Sequence, residues 1–230
     1  MNTTEYLSKW AISYKDDIIN NIMPFWLKYG LDREHGGVYT CVNRDGSLMD
    51  TTKSVWFQGR FGFIAAYAYN NIEKNPQWLA ASKSCIDFIE AHCFDTDGHM
   101  FFEVTEDGKP LRKRRYVFSE GFAAIAMAEY ALATGEKEYA KKALDIFKRT
   151  LHFLNTPGFL EPKYLPTLPS RGHSITMILI NTASRIRMVI DDPSLTEQID
   201  TSIAALRIYF IHPVFKDFLE MVVPDGEFID

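Results

Sequence analysis

The spacing of apolar residues predicts a chain built mainly from amphipathic helices. In the segment 136–154 apolar side chains recur every three or four positions, at Tyr139, Ala143, Ile146, Phe147, Leu151 and Leu154. This spacing places them on one face of a helix. Gly135 is expected to end the preceding helix, so only a few residues link two antiparallel helices.

The same kind of junction occurs at two other places along the chain. Pro76 and Pro193 each fit the first position of a helix. The apolar anchors Trp78, Tyr139 and Leu195 lie 61 and 56 residues apart. The chain is therefore expected to repeat one helix pair about every 55–60 residues.

Polar segments that are rich in turn residues separate the helix pairs. Segments 32–50, 95–111 and 224–230 each contain a glycine turn before an apolar stretch. The runs VYTCV and MFFEV predict short strands, and the RDG and EDG that follow predict tight hairpin turns. Segment 155–172, with four prolines, predicts a long loop that covers one face. Without an interdomain linker, we expect one all-α domain with short β-hairpins over residues 1–230.

Composition excludes several classes of function. The chain has 230 residues, of which 47% are apolar and 24% charged, as in ordinary soluble domains with a sizeable core. Its net charge of −5 argues against nucleic acid as a partner, although RKRRY forms one basic cluster at 112–116. The three cysteines show no paired spacing, and the sequence shows neither a leader peptide nor a membrane span. These features predict a cytoplasmic protein that binds no membrane.

Arg60 is the first candidate for chemistry. It falls on one helical stripe with Trp56, Phe63 and Tyr67. A guanidinium in such a place could bind hydroxyls or a carboxylate of a ligand. It could equally stack on the neighbouring rings and reach solvent. The spacing alone leaves both interpretations open.

Glu120 and His173 are further candidates, each at a predicted helix start. Glu120 either is stabilised there by the helix dipole or lies at the mouth of a cavity, where it would fix Arg60. His173 could act as a general base, or it could hydrogen-bond a loop. The histidines lack the spacing of metal ligands, and the sequence contains no P-loop, GxGxxG or GxSxG motif. We therefore predict no metal and no bound cofactor.

Four segments, taken in order, resemble the N-acylglucosamine 2-epimerase family: DREHGGVYTCVNRDG, KSVWFQGRFGF, RRYVFSEGFAAIAMAEYA and GHSITMILINTASRI. WFQGR is the most specific of these motifs. The resemblance implies an (α/α)6 barrel with a sugar bound at its mouth, of which this chain would form about half, the N-terminal part. It implies that substrate is bound by Arg60, Trp56, Phe118, Glu120, Met177 and Asn181, with Gln58 and His173 as weaker candidates.

The reaction that the resemblance implies is inversion at C2 of an N-acyl-hexosamine, which interconverts N-acetylglucosamine and N-acetylmannosamine. The C2 proton can be removed when C1 is an open-chain aldehyde, and Arg60 would bind the sugar or balance the developing charge. No cofactor is required, although ATP affects some members. The family's acid/base histidines are expected beyond residue 230, so the catalytic residues stay unknown and the chain alone is expected to be inactive. A homodimer or association with a C-terminal half stays open.

Two alternatives remain. One is another epimerase or isomerase of the superfamily, acting on mannose, cellobiose or a sulfosugar. Those relatives tend to carry a histidine where this chain has MIL at 177–179, which favours the acylated amino sugar. The other is a non-enzymatic helical-repeat binding protein, which predicts a continuous concave surface without a deep polar pocket at Arg60. A glycoside hydrolase would need two inward carboxylates, and only Glu120 is a candidate.

Overall fold

The fold consists of packed helix pairs joined by short β-hairpins. The computed structural model describes residues 2–113, 116–160 and 167–223. The three helix pairs are α3 with α4, α5 with α6, and α7 with α8, which span Val55–Asn71, Pro76–His92, Phe118–Thr134, Lys137–Asn155, Ser174–Ile186 and Pro193–Tyr209. They are preceded by α1 and α2, which span Thr3–Asp17 and Met23–Phe25 and are continued by π-helical turns at Ile18–Ile22 and Trp26–Gly30.

The helix boundaries confirm the predicted junctions. Gly135 ends α5 in the left-handed conformation with φ of 76°. Pro76 and Pro193 occupy the first turns of α4 and α8. Each is preceded by an N-cap, Asn75 or Asp192, whose side chain accepts a hydrogen bond from a backbone N–H of that turn.

The strands are short and antiparallel. They form the hairpin β1–β2, the sheet β3–β4–β5 and the pair β6–β7, with bounds Cys41–Val42, Leu48–Asp50, Lys53–Ser54, Phe101–Val104, Pro110–Lys113, Arg171–Gly172 and Met221–Val222. Gly46 and Gly108 adopt φ of 90° and 87° at the two predicted hairpin turns. The third predicted glycine turn, at 224–230, lies outside the described residues, as do 161–166 of the long loop and 114–115 of the basic cluster.

Helix α5 lies at the centre of the packing. Thirteen of its 17 residues are buried, because α3, α4, α6 and α7 all contact it. Helices α3, α5 and α7 stand side by side as an inner row, and α4, α6 and α8 each pack on the preceding inner helix. Each inner helix begins shortly after a strand: α3 follows β3, α5 follows β5 and α7 follows β6.

Helix α1 differs from the others because none of its residues is buried. Its rings Tyr6, Trp10 and Tyr14 follow one another along one face, with centroids 6.2 and 5.6 Å apart. The π-helical turns beyond it are anchored, since Met23 packs with Trp78 and Ala81 in a small separate core. None of the described helices has the length and apolar character that crossing a membrane requires.

Candidate sugar-binding site

Four aromatic rings meet where α3 and α5 begin. Trp56 is 5.3 Å from Phe118, 5.8 Å from Phe122 and 5.2 Å from Phe102, measured between ring centroids. We call Trp56, Phe102, Phe118 and Phe122 the aromatic cluster. Trp56, Phe102 and Phe118 are half-buried, so the cluster reaches the protein surface.

Arg60 lies on this aromatic cluster. Its guanidinium carbon is 4.3 Å from the ring centroid of Phe122 and 5.7 Å from that of Trp56. The side chain is exposed, and no carboxylate among the described residues forms an ion pair with it. The guanidinium thus has aromatic support and hydrogen-bond donors that remain available to a ligand.

This arrangement has the chemistry of a sugar subsite. Aromatic rings can pack against the apolar C–H faces of a sugar, and a guanidinium can donate to its hydroxyl or carbonyl oxygens. The structure brings together Arg60, Trp56 and Phe118 of the residues that the sequence singled out. Arg60 also contacts the neighbouring rings, which was the second interpretation of its spacing. Contact with the rings and binding of a ligand are compatible.

Glu120 does not lie beside Arg60. Its side chain is fully buried, and its carboxylate accepts the N–H of Met100 at 2.7 Å and contacts Nδ1 of His99 at 2.5 Å. Its second oxygen, Oε2, has no hydrogen-bond partner among the described residues. The expectation that Glu120 fixes Arg60 at a cavity mouth is therefore corrected: the buried carboxylate is bound by His99 and Met100, just before β4, and forms no ion pair with Arg60 among the described residues.

Gln58 is also a structural residue. It is fully buried, its Oε1 accepts the N–H of Val38 at 2.9 Å, and its Nε2 donates to the carbonyl of Val38 at 2.5 Å. Because its side chain is fully buried and both polar atoms bind Val38, Gln58 is not exposed to a sugar at the surface. Gln58 and Glu120 play similar roles, since each binds the backbone of a residue 20 positions upstream.

Met177 and Asn181 lie on the exposed side of α7. They line a surface hollow of about 460 Å³ together with Ile180, Ser184, Arg185, Met188 and Leu206. None of the aromatic cluster borders this hollow. His173, the N-cap residue of α7, is half-buried and packs against Phe218 at 4.9 Å and Phe210 at 5.9 Å.

Sequence reasoning missed a buried ion pair beneath the hairpins. The side chain of Lys53 is fully buried, and its Nζ donates to Asp32 at 2.7 Å and to the carbonyls of Gly36 and Glu106 at 2.8 Å. It therefore ties two loop segments, around 32–36 and at Glu106, to the start of α3. Lysine is rarely buried, so a lysine in a polar segment is expected at the surface. Nothing in the sequence therefore indicated that Lys53 pairs with Asp32 in the interior.

The ion pair shifts the acidity of its neighbours. Burial by itself raises the pKa of the Asp32 carboxyl, but hydrogen bonds from Lys53 and from the N–H groups of His35 and Glu34 hold that pKa below its usual value. Burial and the nearby negative Asp32 raise the pKa of Tyr39 to about 12. At neutral pH the Asp32 carboxyl is therefore ionised and the Tyr39 hydroxyl is protonated.

The described residues contain no group of three or more histidine, cysteine or acidic side chains that could hold a metal ion. All three cysteines are free thiols. Burial raises the pKa of Cys85 to about 12, so that thiol stays protonated at neutral pH and is a poor nucleophile.

Comparison with known proteins finds relatives over the greater part of this chain. Rat N-acylglucosamine 2-epimerase is 30% identical over 73% of this chain, and cellobiose 2-epimerase of Eubacterium cellulosolvens is 29% identical over 66%. The matched parts are 42% and 38% of those two proteins, so the chain spans less than half of the curated relatives it matches.

Solved structures agree on the fold. Cellobiose 2-epimerase from Bacillus thermoamylovorans superposes with a TM-score of 0.84 and 19% identity, over 96% of this chain and 61% of that one. The fold is therefore that of the (α/α)6 barrel, as the resemblance implied. Residues 37–183 match the sequence profile of N-acylglucosamine 2-epimerase (GlcNAc 2-epimerase). The chain belongs to the N-acylglucosamine 2-epimerase family, a family of sugar epimerases.

Proposed function

We propose that this chain carries the sugar-binding surface of a 2-epimerase that interconverts N-acylglucosamine and N-acylmannosamine. The observation that supports this most directly is Arg60, an exposed guanidinium without a carboxylate partner among the described residues, lying 4.3 Å from the ring of Phe122. Such a cation on an aromatic surface suits a neutral ligand that is rich in oxygen atoms.

The chemistry explains why a cation is useful at this place. Removing the proton from C2 of an open-chain sugar leaves a carbanion that delocalises into the C1 carbonyl as an enolate. A donor at O1 stabilises the negative charge as it develops. Arg60 would serve as that donor or as the group that orients the sugar hydroxyls. An acid and a base on opposite faces of C2 are also required, and we assign neither of them to a described residue.

The acylated amino sugar is favoured over cellobiose by the extent of similarity. The alignment with rat N-acylglucosamine 2-epimerase extends over 174 residues, and that with the Eubacterium cellobiose 2-epimerase extends over 163. Their identities, 30% and 29%, are almost equal. Cellobiose is therefore the second candidate, and the experiment must compare the two sugars directly.

Ligand-observed NMR tests the proposal. The purified chain is mixed with N-acetylglucosamine, N-acetylmannosamine, mannose or cellobiose, and saturation transfer from the protein to each sugar is measured. We expect the two N-acetyl sugars to bind most tightly. In D2O, deuterium exchange at C2 would report catalysis in the same samples.

The Arg60→Ala variant should weaken binding of the N-acetyl sugars by about tenfold or more, because a hydrogen bond from a charged donor contributes about 1.5–3 kcal/mol. Arg44→Ala, which removes an exposed arginine from the β1–β2 turn, is the matched control and should bind as the wild type does. Tighter binding of cellobiose would shift the assignment to the second candidate. Equal binding by the Arg60→Ala variant and the wild type would contradict the proposed site.

A further inference from the structure

We propose that Phe102, on strand β4, is a further sugar-contacting residue of this site, and that Arg112 is the positioning residue that orients its ring. This inference rests on the proposed function. It adds strand β4 to the site, because Arg60 and the other rings of the aromatic cluster lie on α3 and α5. The hairpin β4–β5 thereby becomes a wall of the sugar site as well as a connection between helices.

The first reason is that Phe102 belongs to the aromatic cluster and not to the core. Its neighbours on the strand, Phe101 and Val104, are buried in the main hydrophobic core. Phe102 itself is half-buried and meets Trp56 with ring centroids 5.2 Å apart at an interplanar angle of 77°. This edge-to-face contact fixes the two rings at a corner, which is a favourable arrangement for aromatic pairs.

The second reason is that β4 is fixed to both helices that carry the rest of the site. Strand β3, directly before α3, pairs with β4 through Ser54 and Glu103. On the other side, the Ser119 hydroxyl of α5 donates to the carbonyl of Phe101 at 3.0 Å. The buried Glu120 accepts the N–H of Met100 at 2.7 Å. These contacts flank Phe102 and hold it in register with Trp56 and Phe118.

The third reason is the contact made by Arg112 on the neighbouring strand. Its guanidinium carbon is 4.8 Å from the ring centroid of Phe102, and its Nη2 is 2.8 Å from the carboxylate of Glu103. The planar guanidinium is thus held by a carboxylate and restricts rotation of the Phe102 ring. A lysine could keep the ion pair but lacks the planar guanidinium that contacts the ring.

Binding measurements on four variants test the inference. Phe102→Ala should weaken binding of N-acetylmannosamine by about tenfold, since a lost aromatic contact costs about 1.4 kcal/mol. Phe102→Tyr keeps the ring and should recover most of the affinity that Phe102→Ala loses. Arg112→Lys should weaken binding by about threefold, with less saturation transferred from aromatic protons to the sugar ring. Leu111→Ala is the control. Leu111 is exposed and lies next to Arg112 on β5, and its replacement should leave binding unchanged.

Thermal unfolding of each variant separates a binding role from a structural one. We expect all four variants to unfold within a few degrees of the wild type, because Phe102 lies outside the main core. Unchanged affinity in Phe102→Ala, when Arg60→Ala has lost affinity, overturns this inference and leaves the proposed function intact. Failure of the wild-type chain to bind any of the sugars overturns both. If Phe102→Ala unfolds early and Phe102→Leu, which keeps an apolar side chain without a ring, restores both stability and affinity, the residue is structural and the inference fails.

Discussion

At the scale of single residues, we expect the buried ion pair of Lys53 and Asp32 to have a large effect on the free energy of unfolding. Both side chains are almost completely buried, with exposed fractions of 0% and 1%. Asp32→Asn would leave the lysine charge in the interior without its counter-charge, so we expect a loss of about 3–5 kcal/mol in the free energy of unfolding. Urea unfolding measures this loss.

The double variant Asp32→Asn with Lys53→Met provides the control for that prediction. It removes both charges, so it should be more stable than Asp32→Asn alone. A loss below about 1 kcal/mol in the single variant would show that the pair contributes little more than a surface ion pair.

The same pair predicts a dependence of stability on pH. The pKa of Asp32 in the folded chain lies below its ordinary value of 3.8, so folding favours the ionised carboxylate. This contribution is fully present above the ordinary pKa and is lost as the pH falls through the lower pKa of the folded state. Below the ordinary pKa, wild-type stability should therefore fall more steeply than that of the Asp32→Asn variant. Parallel curves in urea titrations at several acidic pH values would contradict this.

Residue spacing predicted some of the site and could not predict the rest. The stripe through Trp56 and Arg60 correctly indicated a guanidinium among aromatic rings, because helical periodicity fixes which side chains share a face. It gave no information on Glu120, Gln58 or Lys53. Their roles depend on which backbone N–H or carbonyl the preceding loop brings to them, and that is a tertiary property.

At the scale of elements, two glycines set how closely the inner helices approach. A Cβ on Gly59 of α3 would lie 2.6 Å from the backbone carbon of Phe122 on α5. A Cβ on Gly121 of α5 would lie 2.8 Å from a side-chain carbon of Ile178 on α7. The first clash is with backbone and the second is with a side chain that can change its rotamer.

Gly59→Ala should therefore be more destabilising than Gly121→Ala. We expect a loss of about 2 kcal/mol for the first, where overpacking exceeds the gain in helix propensity, and of about 1 kcal/mol or less for the second. Gly59→Ala should also weaken sugar binding, because α5 carries Phe122 beneath Arg60. Urea midpoints and the NMR assay measure the two effects. The reverse order of stabilities would show that α3 and α5 can move apart at little cost.

The helix pairs were predicted correctly because their boundaries carry local signals. Gly135, Pro76 and Pro193 each impose a backbone conformation that ends or begins a helix. The two-residue strands β3 and β6 have no such signal, since they exist only through pairing with β4 and β7. The π-helical turns at 18–22 and 26–30 were likewise not predicted.

At the scale of the whole molecule, packing is distributed very unevenly. Helix α5 is surrounded by four other helices, whereas α1 extends beyond the packed pairs with no buried residue. Its stability comes from local features: Asn2 and Glu5 form a capping box, and the rings of Trp10 and Tyr14 stack. A 15-residue helix that depends on such features alone is marginal in water.

Hydrogen exchange should follow this gradient. Amides of α1 open by local fraying, whereas those of α5 exchange only when the surrounding pairs separate, so we expect α5 to exchange at least about a hundredfold more slowly. Mass spectrometry of peptides covering 3–17 and 118–134 measures the ratio, and Asp32→Asn should accelerate exchange in α5 but not in α1. Equal protection of the two helices would mean that in solution the apolar face of Tyr6, Trp10 and Tyr14 is covered. The stability of α1 would then come from tertiary contact and not from its own cap and stacked rings.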